Sequence, residues 1–255
     1  MTENRVRAGV LLIGDELLSG RTQDVNLQTI AKFLGPLGVQ VAEARVVADI
    51  PDEIVKAVNE LRAKYDYVLT TGGIGPTHDD KTADAMAQAF GVGVHVHPEA
   101  RAILEAHYKG AGNLNEARLR MARTPIGASL VPNPVSKAPG FQMQNVFVMA
   151  GVPSIMRGML EGVAPRLKGG AVIRARAIRG KGVREGDIAE PLQALEEAAN
   201  GLVIFGSYPW FNPEGYGVHL VARSSDPQAL ERAGEDLKAL IRSRGAEPED
   251  VSETA

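Results

Sequence analysis

The feature that most constrains the fold is an alternation, over the first two-thirds of the chain, of short apolar runs with amphipathic segments. Val6–Ile13 and Val39–Val47 read as strands. Between them Leu27, Ile30, Ala31 and Leu34 fall at helical spacing until Gly35-Pro36 ends the helix. Pro51 suits a first helical turn, and the stripe Ile54, Val55, Val58, Leu61 leads into a strand over Tyr67–Thr71. The pattern continues with a helix over Thr82–Phe90, a strand over 92–96, helices near 100–108 and 115–123, a strand over 146–150 and a helix opening near Ser154. Strand and helix alternating in this way predict βαβ units around a mainly parallel sheet.

A boundary is expected at Lys168-Gly169-Gly170, giving a first domain over 1–168. The remainder, 169–245, reads as a small α+β domain of βαββα order. Its parts are a strand over 171–179, a helix over 187–199, strands over 202–207 and 217–223, and a helix over 227–242. The end, AEPEDVSETA over 246–255, reads as a flexible acidic tail.

Composition removes several function classes. The 255 residues carry a formal net charge of −3, so no broad basic field gathers nucleic acid, which is not an expected partner. The absence of cysteine rules out disulfides, thiolate zinc sites and a cysteine nucleophile. The opening MTENRVRAGVLLIGDELL contains only VLLI as an unbroken apolar run, too short for a signal segment or a membrane span. A soluble, cytoplasmic protein without a membrane partner is expected.

The most informative local stretch is TTGGIGPTHDD, Thr70 to Asp80, at the end of a predicted strand and before a predicted helix. Ligands of open parallel sheets bind beyond the carboxyl ends of strands. Gly72, Gly73 and Gly75 would let backbone N–H groups approach an anion, and the next helix N-terminus adds a favourable partial charge. The stretch lacks a Gly-Lys-Ser/Thr ending, and no G-x-G-x-x-G follows the first strand, so neither common phosphate loop applies. Asp79 and Asp80 would repel a bare phosphate but become useful with a divalent cation between carboxylate and phosphate oxygens. The alternative is that Asp80 or Thr82 caps the helix. Asp15 and Glu16 after the first strand and Asp49 after the second are placed to project from the same sheet edge as Asp80. Each alone reads more often as a turn or capping residue than as a catalytic one, but together, at successive strand ends, they read as a site.

IGDELLSGRTQDVN (13–26), TTGGIGPTHDDKTADAMAQAFG (70–91) and APGF (138–141) together resemble the molybdopterin-binding-type (MoaB/Mog-like) domain of molybdenum cofactor biosynthesis proteins. Within that superfamily the likeness is to the N-terminal domain of competence/damage-inducible protein A and the corresponding domain of eukaryotic FAD synthase. The resemblance covers about residues 5–168. It implies a three-layer α/β/α fold with a mainly parallel sheet, and a homo-oligomer, dimer or trimer. It implies magnesium-dependent nucleotide chemistry at the motif positions Asp49 and Asp80, the expected metal ligands, with Asp79, Glu16 and Asp15 as further catalytic candidates. The expected cofactor is a divalent cation, Mg, Mn or Co. Thr71, Gly72, Gly73, Gly75, Pro76, Thr77, Asn26, Lys137 and Gly140 are the expected substrate contacts. The competence-protein branch implies hydrolysis of a nucleotide pyrophosphate such as ADP-ribose or FAD; the adenylyltransferase branch implies AMP transfer to molybdopterin. The partner is in either case a nucleotide or pterin. The amidase domain of competence-type proteins and the FAD-forming adenylyltransferase domain have no counterpart in these residues, and neither activity is expected. Two departures stand out: Ala150 occupies a position where the family favours proline, and Ser136-Lys137 replaces a Gly-Thr pair, bringing a cation near the expected anion site.

Three further features are ambiguous. His95 and His97 share one face of a strand, as a metal pair or an edge strand's polar side. Arg21 and Arg123 join Lys137 as cations near the motifs, and His78 lies inside the glycine stretch. Tyr208, Trp210, Phe211 and Tyr216 occupy a loop between two predicted strands, where rings could stack on a ligand or pack a hairpin or subunit interface.

Overall fold

The structure is a computed structural model that describes residues 5–108, 114–213 and 215–251. It divides into two compact units, 1–171 and 172–255.

In the first unit β1 (Val6–Ile13) leads through α1 (Asp15–Leu18) and α2 (Asn26–Leu34) to β2 (Val39–Val47), then α3 (Pro51–Lys64) and β3 (Tyr67–Thr71). α4 (Thr82–Phe90), β4 (Val94–Val96), α5 (Pro98–His107), α6 (Glu116–Leu119) and β5 (Arg123–Pro125) follow. The unit closes with β6 (Ser129–Val131), β7 (Gly140–Met143), β8 (Val146–Met149) and α7 (Pro153–Val163). The six-stranded sheet has the order β2-β1-β3-β8-β7-β6; pairing is parallel from β2 to β8 and antiparallel through β7 to β6.

Side-chain alternation explains why β1 is apolar throughout. Leu11 and Ile13 face a core built with Ile54, Val58 and Leu61 of α3 and Ala85 and Met86 of α4. Val10 and Leu12 face the opposite core, with Ile30 and Leu34 of α2 and Met156, Met159 and Leu160 of α7. A strand covered by helices on both faces has no polar side. Each of these residues buried from water contributes roughly 1.5 to 3 kcal/mol of transfer free energy. The result is the three-layer α/β/α arrangement.

The second unit runs β9 (Arg174–Lys181), α8 (Glu185–Ala199), β10 (Ile204–Asn212), β11 (Gly215–Ser224), α9 (Pro227–Ser243) and β12 (Pro248–Val251). Its antiparallel sheet has the order β10-β11-β9-β12, the split βαβ arrangement. Both helices pack on one face, where Ile188, Leu230, Leu237 and Ile241 meet Ile178, Val218 and Leu220.

Three expectations change. The acidic end is not flexible from 246 onward: Pro248–Val251 pairs antiparallel with β9. The acid that made the segment look solvated is tied down, since Asp250 accepts from Arg176 and Lys238, both at 2.7 Å. The helix expected near 115–123 ends at Leu119, and Arg123 opens β5. The aromatic segment is not a loop, because β10 and β11 remain paired out to Asn212 and Gly215.

Candidate functional site

The carboxyl ends of β1, β2 and β3 open onto a cleft of ≈ 540 Å³. Glu16, Asp49, Gly72, Gly73, Gly75, Pro76, Asp79 and Asp80 line it, so most of the expected residues share one cavity, and among the described residues no lysine or arginine lines it. β1 and β3 are adjacent, which brings the turn after one beside the turn after the other. Gly72 makes this possible: it has φ 106 and lies so close to the Ile13 carbonyl oxygen that a Cβ would collide with it.

The turn is organised by Asp80. Its Oδ1 accepts the Gly75 N–H at 2.7 Å, while its Oδ2 accepts the Thr77 N–H at 2.8 Å and the Thr77 hydroxyl at 2.6 Å. The donors of Gly75 and Thr77, two residues expected to face a phosphate, are thus already given to a carboxylate of the chain. Three of about four acceptor positions of a carboxylate are occupied, so Asp80 fixes the loop. The capping alternative is not what the turn shows either. The residue preceding α4 is Lys81, with no side-chain cap bond. Thr82 donates its hydroxyl back to the Gly72 carbonyl at 3.0 Å.

Asp49 is the electrostatic centre. Its Oδ2 accepts the Asp15 N–H at 3.0 Å, and Asp15 Oδ1 accepts the Asp49 N–H at 3.3 Å, locking the turn after β1 to the turn after β2. Burial pushes the Asp49 carboxyl above the ordinary carboxylate range, and the charges of Asp15, Glu16 and Asp79 push it the same way. Asp79 is held low, chiefly by the Thr77 side chain.

The other expected residues fall elsewhere. Thr71 is 2% exposed within β3. Asn26 lies behind the cleft, donating to the Gly151 carbonyl at 2.7 Å and so fixing a residue of the wall. Gly140 sits inside β7, where a Cβ would strike the Val148 carbonyl oxygen, so its role is close packing. Lys137 lines a separate cavity with Glu99 and Arg166. Arg123 pairs with Asp84 at 2.5 Å and lines a small cavity behind the turn with Arg120. His97 does not form a metal pair with His95: its Nδ1 accepts the Ala100 N–H at 3.5 Å at the start of α5.

Asn133 was not expected. Its Oδ1 accepts from the Val135 and Ser136 N–H groups, and its Nδ2 donates to the Ala138 carbonyl at 2.7 Å, shaping the wall opposite the glycine turn. The Asn133-Pro134 pair was the available signal, since such pairs initiate turns.

The available ligands are carboxylate oxygens, the choice of a hard cation. Among the described residues no three His, Cys, Asp or Glu side chains converge tightly enough to hold a metal unaided. Magnesium ordinarily uses one or two carboxylates and completes its shell with water and phosphate oxygens.

Residues 9–169 match the family described as the probable molybdopterin binding domain, and residues 181–250 match that described as the FAD synthase middle domain. The chain belongs to the molybdopterin-binding-domain family. A protein of Pyrobaculum calidifontis is 34% identical over 253 residues, covering 93% of this chain and 96% of its own length. A CinA-like protein of Geobacter sp. strain M21 is 37% identical over 246 residues, covering 92% of this chain; the chain spans only 58% of that relative. The crystal structure of the protein CinA from Thermoplasma acidophilum, described as of unknown function, superposes with a TM-score of 0.60 at 34% identity, over 64% of this chain and 98% of that one. Among the described residues no helix is long and apolar enough to cross a membrane.

Proposed function

We propose that the chain is a metal-dependent nucleotide pyrophosphatase, hydrolysing the P–O–P link of a dinucleotide-type diphosphate such as ADP-ribose or FAD. The observation that carries this reading is the cleft's charge: among the described residues its charged lining side chains are all acidic. An anionic substrate enters such a cleft only with a cation, and Asp49, raised by burial and by three neighbouring acids, is where one offsets the most repulsion.

Asp49, with Asp79, would hold Mg, Mn or Co. When bound, the ion supplies charge neutralisation for the diphosphate and a water of lowered pKa. Asp80 keeps the Gly73–Thr77 backbone in the shape that presents the substrate. Hydrolysis adds one water: its oxygen bonds to one phosphorus, the bridging oxygen leaves with the other phosphate, and the released proton passes to a carboxylate. Glu16 lines the cleft and is assigned that proton; Asp15, engaged with Asp49, positions.

Product analysis by HPLC after incubation with ADP-ribose, FAD, NAD or ATP, each with magnesium, manganese or cobalt, tests the reading. AMP released from ADP-ribose or FAD only with metal is the expected result. The absence of release from every substrate would overturn it.

A second reading, molybdopterin binding or adenylylation within molybdenum cofactor biosynthesis, is favoured by the family match over 9–169. It predicts ATP-dependent AMP transfer to molybdopterin with little hydrolysis of ADP-ribose. A pterin-binding titration tests it.

A further inference from the structure

The small cavity behind the glycine turn has a volume of ≈ 10 Å³ and is lined by Gly73, Ile74, Gly75 and Asp80 of the turn and by Arg120 and Arg123. A space of that size takes about one water, so the groups around it stand close together. Gly73, Ile74 and Gly75 also line the large cleft. A single layer of backbone, without side chains at 73 and 75, therefore separates the two cavities. The two arginines differ in their partners. Arg123 is neutralised by Asp84 at 2.5 Å. Arg120 opens a short 3₁₀ turn, Arg120–Ala122, which is pinned where the Ala122 carbonyl accepts the His97 N–H at 2.8 Å. The Arg120 side chain is half-buried, its Nε is buried without a partner, and among the described residues its guanidinium enters no hydrogen bond or ion pair. Asp80 lines the same cavity but does not pair with it, since the Asp80 oxygens accept from Gly75 and Thr77. A buried donor without an acceptor is costly, and a native chain that keeps one calls for an explanation.

We propose, on the reading that the cleft seats a diphosphate, that Arg120 is the counter-charge of that diphosphate, acting on it across the glycine turn. Among the described residues no lysine or arginine lines the cleft itself, so the chain offers an anion there no cation on the cleft side. Arg120 supplies one from the far side of a layer that Gly73 and Gly75 keep thin. Its half-burial lets the charge act with less screening than an exposed arginine would suffer. Arg120 touches none of the reacting atoms, so its effect falls on binding: its loss raises KM and leaves kcat nearly unchanged.

ADP with magnesium, titrated into the full chain by calorimetry, tests this without requiring turnover. Arg120→Gln should weaken ADP binding about tenfold, the size of one partly screened charge interaction. Arg120→Met, which also removes the charge, takes its place if Arg120→Gln does not fold, with the same loss expected. Arg120→Lys keeps the charge and should bind within about threefold of the unaltered protein. Arg123→Gln removes a charge that Asp84 already neutralises and should also stay within about threefold. Equal affinity in Arg120→Gln and the unaltered protein would overturn the proposal, as would no binding of ADP by the unaltered protein. Arg120→Lys binding as weakly as Arg120→Gln would show that packing and not charge is at work, and would overturn it too. The hydrolytic reading fails separately: ADP binding that depends on Arg120, with no AMP released from ADP-ribose or FAD, refutes hydrolysis and keeps this role for Arg120. AMP release with ADP binding indifferent to Arg120 does the reverse.

Discussion

The two units expose their chemistry on different kinds of surface. In the first, helices cover both faces of the sheet, leaving strand ends as the available positions, and there the chain places glycines and carboxylates. In the second, helices cover one face of an antiparallel sheet, and the other carries rings and guanidinium groups. Sheet type therefore determines where side chains can meet a ligand: parallel sheets offer their edges, antiparallel sheets a face. Two carboxylates, one in each unit, respond to pH with opposite sign. The Asp49 carboxyl is raised in the folded protein. Its effect is absent below the ordinary 3.8 and becomes a destabilisation as pH rises through the folded value. Asp250 is lowered, first by Lys238 and then by Arg176, so its contribution is present above 3.8 and is lost as pH falls below that value.

Gly72→Ala should have the largest effect, about 4 kcal/mol, because the new methyl meets the Ile13 carbonyl at a φ that side chains avoid. Calorimetry should show the first unit melting early while Trp210 emission keeps its native position; loss of both together would show that the units do not fold separately. Next, Asp49→Asn should lower metal-dependent turnover by roughly a hundredfold to a thousandfold and raise the melting temperature at neutral pH. A lowered melting temperature would show that the acidic cluster stabilises the fold. Gly217→Ala should cost about 3 kcal/mol, because the new methyl would stand 2.3 Å from the Gly180 carbonyl oxygen and 2.9 Å from the indole, with the indole's displacement read as a red shift of Trp210 emission. Asp250→Asn should cost only about 0.5 kcal/mol near neutral pH, because the Asp250 carboxylate is exposed to water. That loss should vanish in thermal melts carried out well below pH 3.8.

How much was legible depended on element length and burial. β1, β2, β3 and α4 were readable to the residue, since sustained periodicity marks elements buried on a wide face. β5, β6 and β7, of three or four residues each, were missed: such runs show no period, and pairing partners far along the chain define them. The small-domain hairpin was mistaken for a loop because proline, glycine and asparagine signal turns wherever they occur, and nine-residue pairing overrode them.

The sequence by itself determined the alternating architecture, the glycine turn and the set of acids after the first three strands, because these follow from local periodicity and from residue types at strand ends. Tertiary structure decided what those residues do. Whether Asp80 faces solvent or closes the turn, whether Asp49 meets Asp15, and whether Lys137 reaches the cleft depend on contacts between segments distant in sequence. Those distances are set by how β1 lies between β2 and β3, and a linear pattern does not encode them.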